Sequence, residues 1–298
     1  MRQIRPANFC RSWLFLEGAN AAVLGSAPSS GADVLIQELE DFTPPSLRPA
    51  ARALAADLYA AWRQAGAVAA VRVNPLEREG MDDLAAVMRG RPEIVALPKV
   101  ADPAQIVRLD EAVTRFERDH GIPAGSTALL PNIEFARGLV QLQTIAKASP
   151  RVAACLLAAE DLAADLGAER APDGFELSYS RQRFIVECTA AGVVAVDCPY
   201  TWSDVEGLDR DTRWAHRLGF KAKSLVDPAH AAVINGVLTP AEGEERKARD
   251  IVDAFETARA AGHSRAELRG SLVELPTYTN AKGLLARADA LRQFTRGG

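Results

Sequence analysis

The sequence holds little that could staple or anchor it. Its 298 residues include only four cysteines, Cys10, Cys155, Cys188 and Cys198, and no two are spaced as CxxC. No histidine lies near them at a zinc-site interval, so a metal knuckle is excluded, and reduced thiols suit a cytoplasmic protein. No run of about 18 apolar residues occurs, so no membrane-spanning helix is expected. The apolar patch Trp13–Leu16 ends at Glu17, which argues against a secretory signal. An excess of one charge is lacking too. The 35 basic residues face 39 acidic ones, which leaves no basic field for nucleic acid. A glycine-rich phosphate cradle is also missing, because Glu17-Gly18-Ala19-Asn20 is not GxGxxG.

What is present is alternation. Short aliphatic runs at Ser12–Leu16, Val34–Glu38, Ala69–Val73, Ile94–Pro98, Ala128–Ile133, Ala153–Ala158, Gly192–Val196 and Lys221–Val226 are mostly continuous, as in parallel strands buried on both faces. Helical spacing separates them. In Arg48–Ala65 the apolar stripe is Ala51, Leu54, Ala55, Leu58, Ala61 and Trp62, and Pro103–His120 carries Ile106, Leu109, Val113 and Phe116. Further helices are expected at Met81–Met88, Gly138–Ala148, Ser180–Ala191 and Asp204–Leu218, and Ala19–Gly31 reads as a loop or weak first helix. Eight strands alternating with helices predict an α/β chain folded as a (β/α)8 TIM barrel over residues 1–239. A doubly wound open sheet is the alternative, and it would more often show the missing cradle. Residues 240–298 read as a C-terminal helical appendage. It comprises a helix over Ala241–Ala261, a Gly-containing segment from Gly262 to Gly270, a strand-like Ser271–Leu275 and a helix over Ala281–Phe294.

In such a barrel the reacting groups sit at the C-terminal strand ends. Those ends carry Glu38-Leu39-Glu40-Asp41, Arg72 with Asn74, Pro98-Lys99, Glu134, Glu160-Asp161 and Asp227. Crowded carboxylates repel one another unless a cation neutralises them. Oxygen ligands without Cys or His favour Mg2+, with Mn2+ possible in its place, over zinc. The competing reading is that each acid caps the helix that follows its strand.

The same residues resemble a known family. Arg11-Ser12-Trp13-Leu14-Phe15 is similar to RSxLF, Glu38-Leu39-Glu40-Asp41 to DLED, and Arg48 through Ala51-Arg52 to KxxAR. Arg72-Val73-Asn74 matches RVN, Pro98-Lys99-Val100 matches PKV and Ile133-Glu134 the IE of IET, while Ala158-Ala159-Glu160-Asp161-Leu162 resembles GAEDL. This ordered set resembles the citrate lyase beta-subunit-like proteins of the HpcH/HpaI aldolase superfamily over nearly the whole chain. The resemblance implies a cytoplasmic, Mg2+-dependent carbon–carbon lyase that cleaves a 3-hydroxyacyl-CoA into an acyl-CoA and a 2-oxo acid. It places the metal on Glu134 and Asp161, substrate oxygens on Arg72, and a supporting role on Glu40 and Asp41. Backbone around Ala159 and Glu160 would hold the substrate carboxylate, with Arg11 and Lys99 as further binding residues. The appendage would serve as a lid on a neighbouring subunit of a homo-oligomer, a trimer or a multiple of one. It would carry the acid, here Glu274. The sequence departs from the family at Ser26, where a lysine is usual, at Ala158 for glycine, and at Val226-Asp227-Pro228 for IHP. Two alternatives stay open: an aldolase acting on a CoA-free 2-oxo acid, and a non-catalytic ligand-binding relative.

Overall fold

The aliphatic runs become eight parallel strands that close on themselves. A computed structural model describes residues 5–295. The strands are β1 (Ser12–Glu17), β2 (Val34–Glu38), β3 (Val68–Arg72), β4 (Ile94–Leu97), β5 (Ala128–Ile133), β6 (Ala154–Leu157), β7 (Val194–Asp197) and β8 (Ala222–Leu225). Each pairs with the next, and β8 returns to β1 through Ser224 opposite Trp13, so the sheet has no edge. Side chains alternate between two cores. Trp13, Phe15, Ile36, Ala70, Leu130 and Leu156 fill the barrel interior. Leu14, Leu35, Val71, Val95, Leu129 and Ile133 face the helices outside. Double burial is why these strands lack a polar period.

The helices are α1 (Ala21–Ser26), α2 (Arg48–Gln64), α3 (Met81–Val87), α4 (Pro103–Asp119), α5 (Ala136–Val140), α6 (Leu142–Ala146), α7 (Ala159–Leu166), α8 (Ser178–Ala191), α9 (Val205–Leu218) and α10 (Ala231–Leu238). In α2 the buried stripe is Ala51, Ala55, Tyr59 and Trp62, one face of a 3.6-residue repeat. Asp102 and Gln105 form a capping box at the start of α4, and Pro103 takes the first helical position, where no N–H is needed. The helix expected over Gly138–Ala148 is instead two short ones that meet at Gln141. Its side-chain amide donates to the Ala101 carbonyl at 3.0 Å, while its own N–H closes a tight turn on Gly138. No described helix is long and apolar enough to cross a membrane.

The chain separates into two compact units, Met1–Leu238 and Thr239–Gly298. The second holds α11 (Glu242–Ala260), a hairpin of β9 (Ala266–Leu268) and β10 (Ser271–Val273), and α12 (Leu275–Thr295). Arg269 and Gly270, both at positive φ (52° and 77°), make its two-residue turn. Phe255 stacks on Tyr278 at 4.6 Å, and Glu245 accepts from Arg249 and Arg292, each at 2.7 Å. The last helix begins two turns earlier than its apolar pattern suggests, because Pro276 is tolerated within a first turn.

One buried charge network pins the last two barrel strands to their helices. The Lys223 ammonium donates to Asp197 at 2.7 Å, to Asp211 at 2.6 Å and to the Cys198 carbonyl at 2.7 Å. Arg181 holds Asp197 through two hydrogen bonds, at 2.9 and 2.7 Å. Removing one member of such a network leaves a buried charge uncompensated. Lys223→Met is therefore expected to lower unfolding stability by about 3–5 kcal/mol. Urea melts at unchanged slope would measure the loss, and a loss below about 1 kcal/mol would mean the network behaves like a surface pair.

Candidate metal centre and carboxylate rim

The strand ends assemble around one arginine. On β2, Val34 and Ile36 face the barrel interior, so Glu38 does too, and it lies directly opposite Arg72 of β3. The Glu38 carboxylate accepts from Arg72 Nε at 2.9 Å, from the Glu40 amide at 2.6 Å and from the Phe42 amide at 2.7 Å. One buried carboxylate thus fixes both the guanidinium and the β2 loop. Gly18, at the end of β1, presses against this loop. A Cβ there would collide with the Glu38 carbonyl and come within 2.8 Å of Leu39. Its amide donates to Thr43 at 2.8 Å, and Thr43 in turn donates to the Glu38 carbonyl.

Arg72 is 7% exposed and lies between the rings of Phe15 and Phe42, at 5.1 and 5.5 Å. Glu40 stands 3.6 Å and Glu134 3.8 Å from its terminal nitrogens. Lys99 reaches over from β4 to pair with Glu40 and, at 3.0 Å, with Asp41. Its backbone adopts φ 56°, unusual for a side chain with a Cβ.

The charges are unbalanced. Glu38, Glu40, Asp41, Glu134 and Asp161 face Arg72 and Lys99. Burial pushes the Glu134 carboxyl up to about 7, the Arg72 guanidinium opposes this, and the charges of Glu40 and Asp161 add to it. Burial also raises Glu40, in spite of Arg72 and Lys99. The cations respond oppositely. Burial works against the charge of Arg72, but Glu38, Glu40 and Glu134 outweigh it and its pKa rises. Lys99 rises to about 12, because its bonds to Glu40 and Asp41 overcome burial.

Two buried oxygens, Glu134 Oε1 and Glu40 Oε2, have no hydrogen-bond partner. Asp161, half-buried in the first turn of α7, is near enough to add to the cost of charging Glu134. Among the described residues no three acidic, histidine or cysteine side chains are placed to hold a metal ion together, so there is no closed protein cage. A pair of carboxylates suits Mg2+, which keeps several waters and takes one or two protein oxygens. The donor set and the orphaned oxygens fit that ion.

Arg72, Glu40, Asp41, Lys99, Glu134 and Asp161 are thus brought to one end of the barrel. Ala159 is there as well, opening α7, which has no side-chain cap on its first amides. Arg11 does not join them. It precedes β1, at the opposite end of the barrel, where its backbone and side chain bind Asp33 at 2.7–2.9 Å. The Glu160 side chain turns outward to Arg170 at 3.2 Å and Thr201 at 2.9 Å, so only its backbone can serve a ligand. Asp227 accepts from the Ala229 amide, the helix-capping alternative. Glu274 lies in the second unit, exposed, between β10 and α12. Sequence reasoning passed over Glu38 as an anchor, though its position two residues beyond Ile36 gives its direction.

The raised Glu134 carboxyl sets a pH dependence. Its folded pKa, about 7, lies above the ordinary 4.5, so the folded protein binds a proton that the unfolded chain releases between those values. The stability cost is absent below about pH 4.5, grows as pH rises to 7 and is complete above it. Glu134→Gln should therefore be more stable than wild type at pH 8, by up to about 3 kcal/mol, and equal to it near pH 4.5. Chemical denaturation at the two pH values would test this. Added Mg2+ should raise the melting temperature of wild type but not of the variant.

Comparison with known proteins agrees with this geometry. Residues 11–228 match the family described as HpcH/HpaI aldolase/citrate lyase. The citrate lyase subunit beta of Leuconostoc mesenteroides subsp. cremoris is 32% identical over 282 residues, covering 94% of this chain and 93% of that protein. The L-malyl-CoA/beta-methylmalyl-CoA lyase of Cereibacter sphaeroides is 28% identical, with 96% of each covered. Among solved structures, the CitE protein of Mycobacterium tuberculosis in complex with magnesium, acetoacetate and coenzyme A aligns with a TM-score of 0.73 at 26% identity. The alignment covers 94% of this chain and 98% of that one. With a closed eight-stranded barrel, a carboxylate rim around a buried arginine and full-length relatives of this kind, the chain belongs to the HpcH/HpaI aldolase/citrate lyase family.

Proposed function

We propose that the chain is a Mg2+-dependent carbon–carbon lyase. It splits a 3-hydroxyacyl-CoA of the malyl-CoA, citramalyl-CoA or citryl-CoA type into an acyl-CoA and a 2-oxo acid. The observation that carries this reading is Glu134, a buried carboxylate with one oxygen unpartnered, 3.8 Å from a guanidinium already fixed in place. The lyase and the CoA-bound structure named above support the thioester. Four buried thiols suit the reducing cytoplasm proposed for it.

Glu134 and Asp161 would hold the ion, with Glu40 and Asp41 in support. When bound, the ion supplies Lewis-acid polarisation of the substrate's carboxylate and hydroxyl. The first amides of α7, at Ala159 to Asp161, receive the carboxylate, since no side-chain cap competes for them. As the hydroxyl passes its proton to a carboxylate of the rim, its oxygen becomes the carbonyl of the 2-oxo acid. The carbon–carbon electron pair passes to the thioester as an enolate. Arg72 stabilises the negative charge that develops on oxygen, and its burial strengthens that interaction. An acid then protonates the enolate carbon, and Glu274 of a neighbouring subunit in a trimer is the proposed donor.

A CoA-free 2-oxo acid is the second reading. One observation favours it: Ser26 of α1, the helix that the family resemblance places against CoA, stands where a lysine is usual, and the groove it lines with Val23, Ser29, Ser30, Pro228, Ala229 and Ala232 contains no basic side chain.

Arg72→Lys keeps the charge but loses the planar fork, so kcat/KM should fall about 10²-fold or more. A near-wild-type rate would make Arg72 a structural ion-pair residue. For Glu274, alanine should cut kcat strongly while Mg2+ affinity and oligomer size, read by light scattering, stay unchanged. Wild-type turnover in Glu274→Ala would move the acid elsewhere. If 2-oxo acids bind with Mg2+ but no CoA thioester binds or is cleaved, the second reading replaces the first.

A further inference from the structure

Asn132 is a fully buried carboxamide whose side chain makes no hydrogen bond. On β5, Ala128 and Leu130 belong to the interior core, while Leu129 and Ile133 belong to the outer one. Asn132 therefore faces the interior, one inward step beyond Leu130 and one short of Glu134. Register places Arg72 beside Ala96, and Ala96 beside Leu130. The stagger of an eight-stranded barrel, about one residue per strand, then brings Phe15, Arg72 and Asn132 into one layer. That layer is the floor beneath the carboxylate rim.

Asn132 is 0% exposed, and neither its Nδ2 nor its Oδ1 has a hydrogen-bond partner. Other interior polar groups are engaged: Ser224 donates to the Asp197 carbonyl at 2.9 Å, and Glu38 accepts three donors. A buried amide left without partners is destabilising, and an apolar residue of the same size would remove that cost. Above it on the same strand, Glu134 has Oε1 unpartnered and stands 3.8 Å from Arg72, which Glu38 already anchors, so Glu134 is the loosely held side chain.

We propose that Asn132 determines specificity, by ranking 2-oxo acids on whether the substituent that reaches the floor can hydrogen-bond. This rests on the lyase reading, in which Glu134 turns toward the ion and so uncovers the amide beneath it, while Arg72 stays on Glu38. The chemical class selected is a 2-oxo acid bearing a hydroxyl or second carboxylate beyond its carbonyl, over one ending in methyl. A site built to pair with a polar group leaves its own amide unpaired against the methyl analogue and so rejects it.

The test uses 3-hydroxypyruvate and 2-oxobutyrate, which match in heavy-atom count and differ as hydroxyl against methyl. Calorimetry with the full chain and saturating Mg2+ should show wild type binding hydroxypyruvate at least 10-fold more tightly. Asn132→Leu should abolish or invert that ratio with Mg2+ affinity unchanged, and its melting temperature without ligand should rise. Asn132→Ala, which removes the amide without adding bulk, should also lose the preference. Equal affinities in wild type, a ratio unchanged in both variants, or a lowered melting temperature in Asn132→Leu would each overturn the proposal. If neither acid binds wild type although Mg2+ does, the oxo-acid reading itself falls and takes this inference with it.

Discussion

A guanidinium inside a β-barrel has to be matched by negative charge, and Arg72 is matched several times over. Glu38 bonds it directly, while Glu40 and Glu134 stand within 4 Å. Each acid that steadies the arginine is itself desolvated, so the rim carries more carboxylate than its two cations can neutralise. That surplus makes the site receptive to a divalent ion. Glu38 has a second effect. Because the same carboxylate accepts the Glu40 and Phe42 amides, the position of the guanidinium and the path of the β2 loop are one constraint.

The barrel was legible because its strands are buried on both faces. All eight expected runs form strands, with ends shifted by at most about two residues. α7 and α10 went unseen for want of contrast: Ala159–Leu166 is short, rich in alanine and opens just after β6, while Ala231–Leu238 is short and almost wholly apolar. The β9–β10 hairpin was half visible, since Ala266-Glu267-Leu268 has little apolar character and pairs because the turn at Arg269-Gly270 brings it round. The break at Gln141 depends on a hydrogen bond to a carbonyl 40 residues earlier in the chain, which no local pattern encodes.

The rim was legible through the rule that barrel chemistry sits at the carboxyl ends of strands. The same rule, applied strictly, removes Arg11, which precedes its strand. Side-chain direction was the harder part. Adjacent residues in the first turn of α7 diverge, so Glu160 turns out to Arg170 and Thr201 while Asp161 acts on Glu134. Asn132 was overlooked because a single amide in an apolar run looks like a tolerated exception until its lack of partners is known.

Lys99 records what the rim demands of the backbone. Its φ of 56° places a β-carbon where glycine or asparagine sits more comfortably, at a cost on the order of 1–2 kcal/mol. Its ion pairs with Glu40 and Asp41 are set against that strain. Glycine there would relax the backbone but leave the two acids without their ammonium, so local backbone ease and charge pairing are exchanged one for the other.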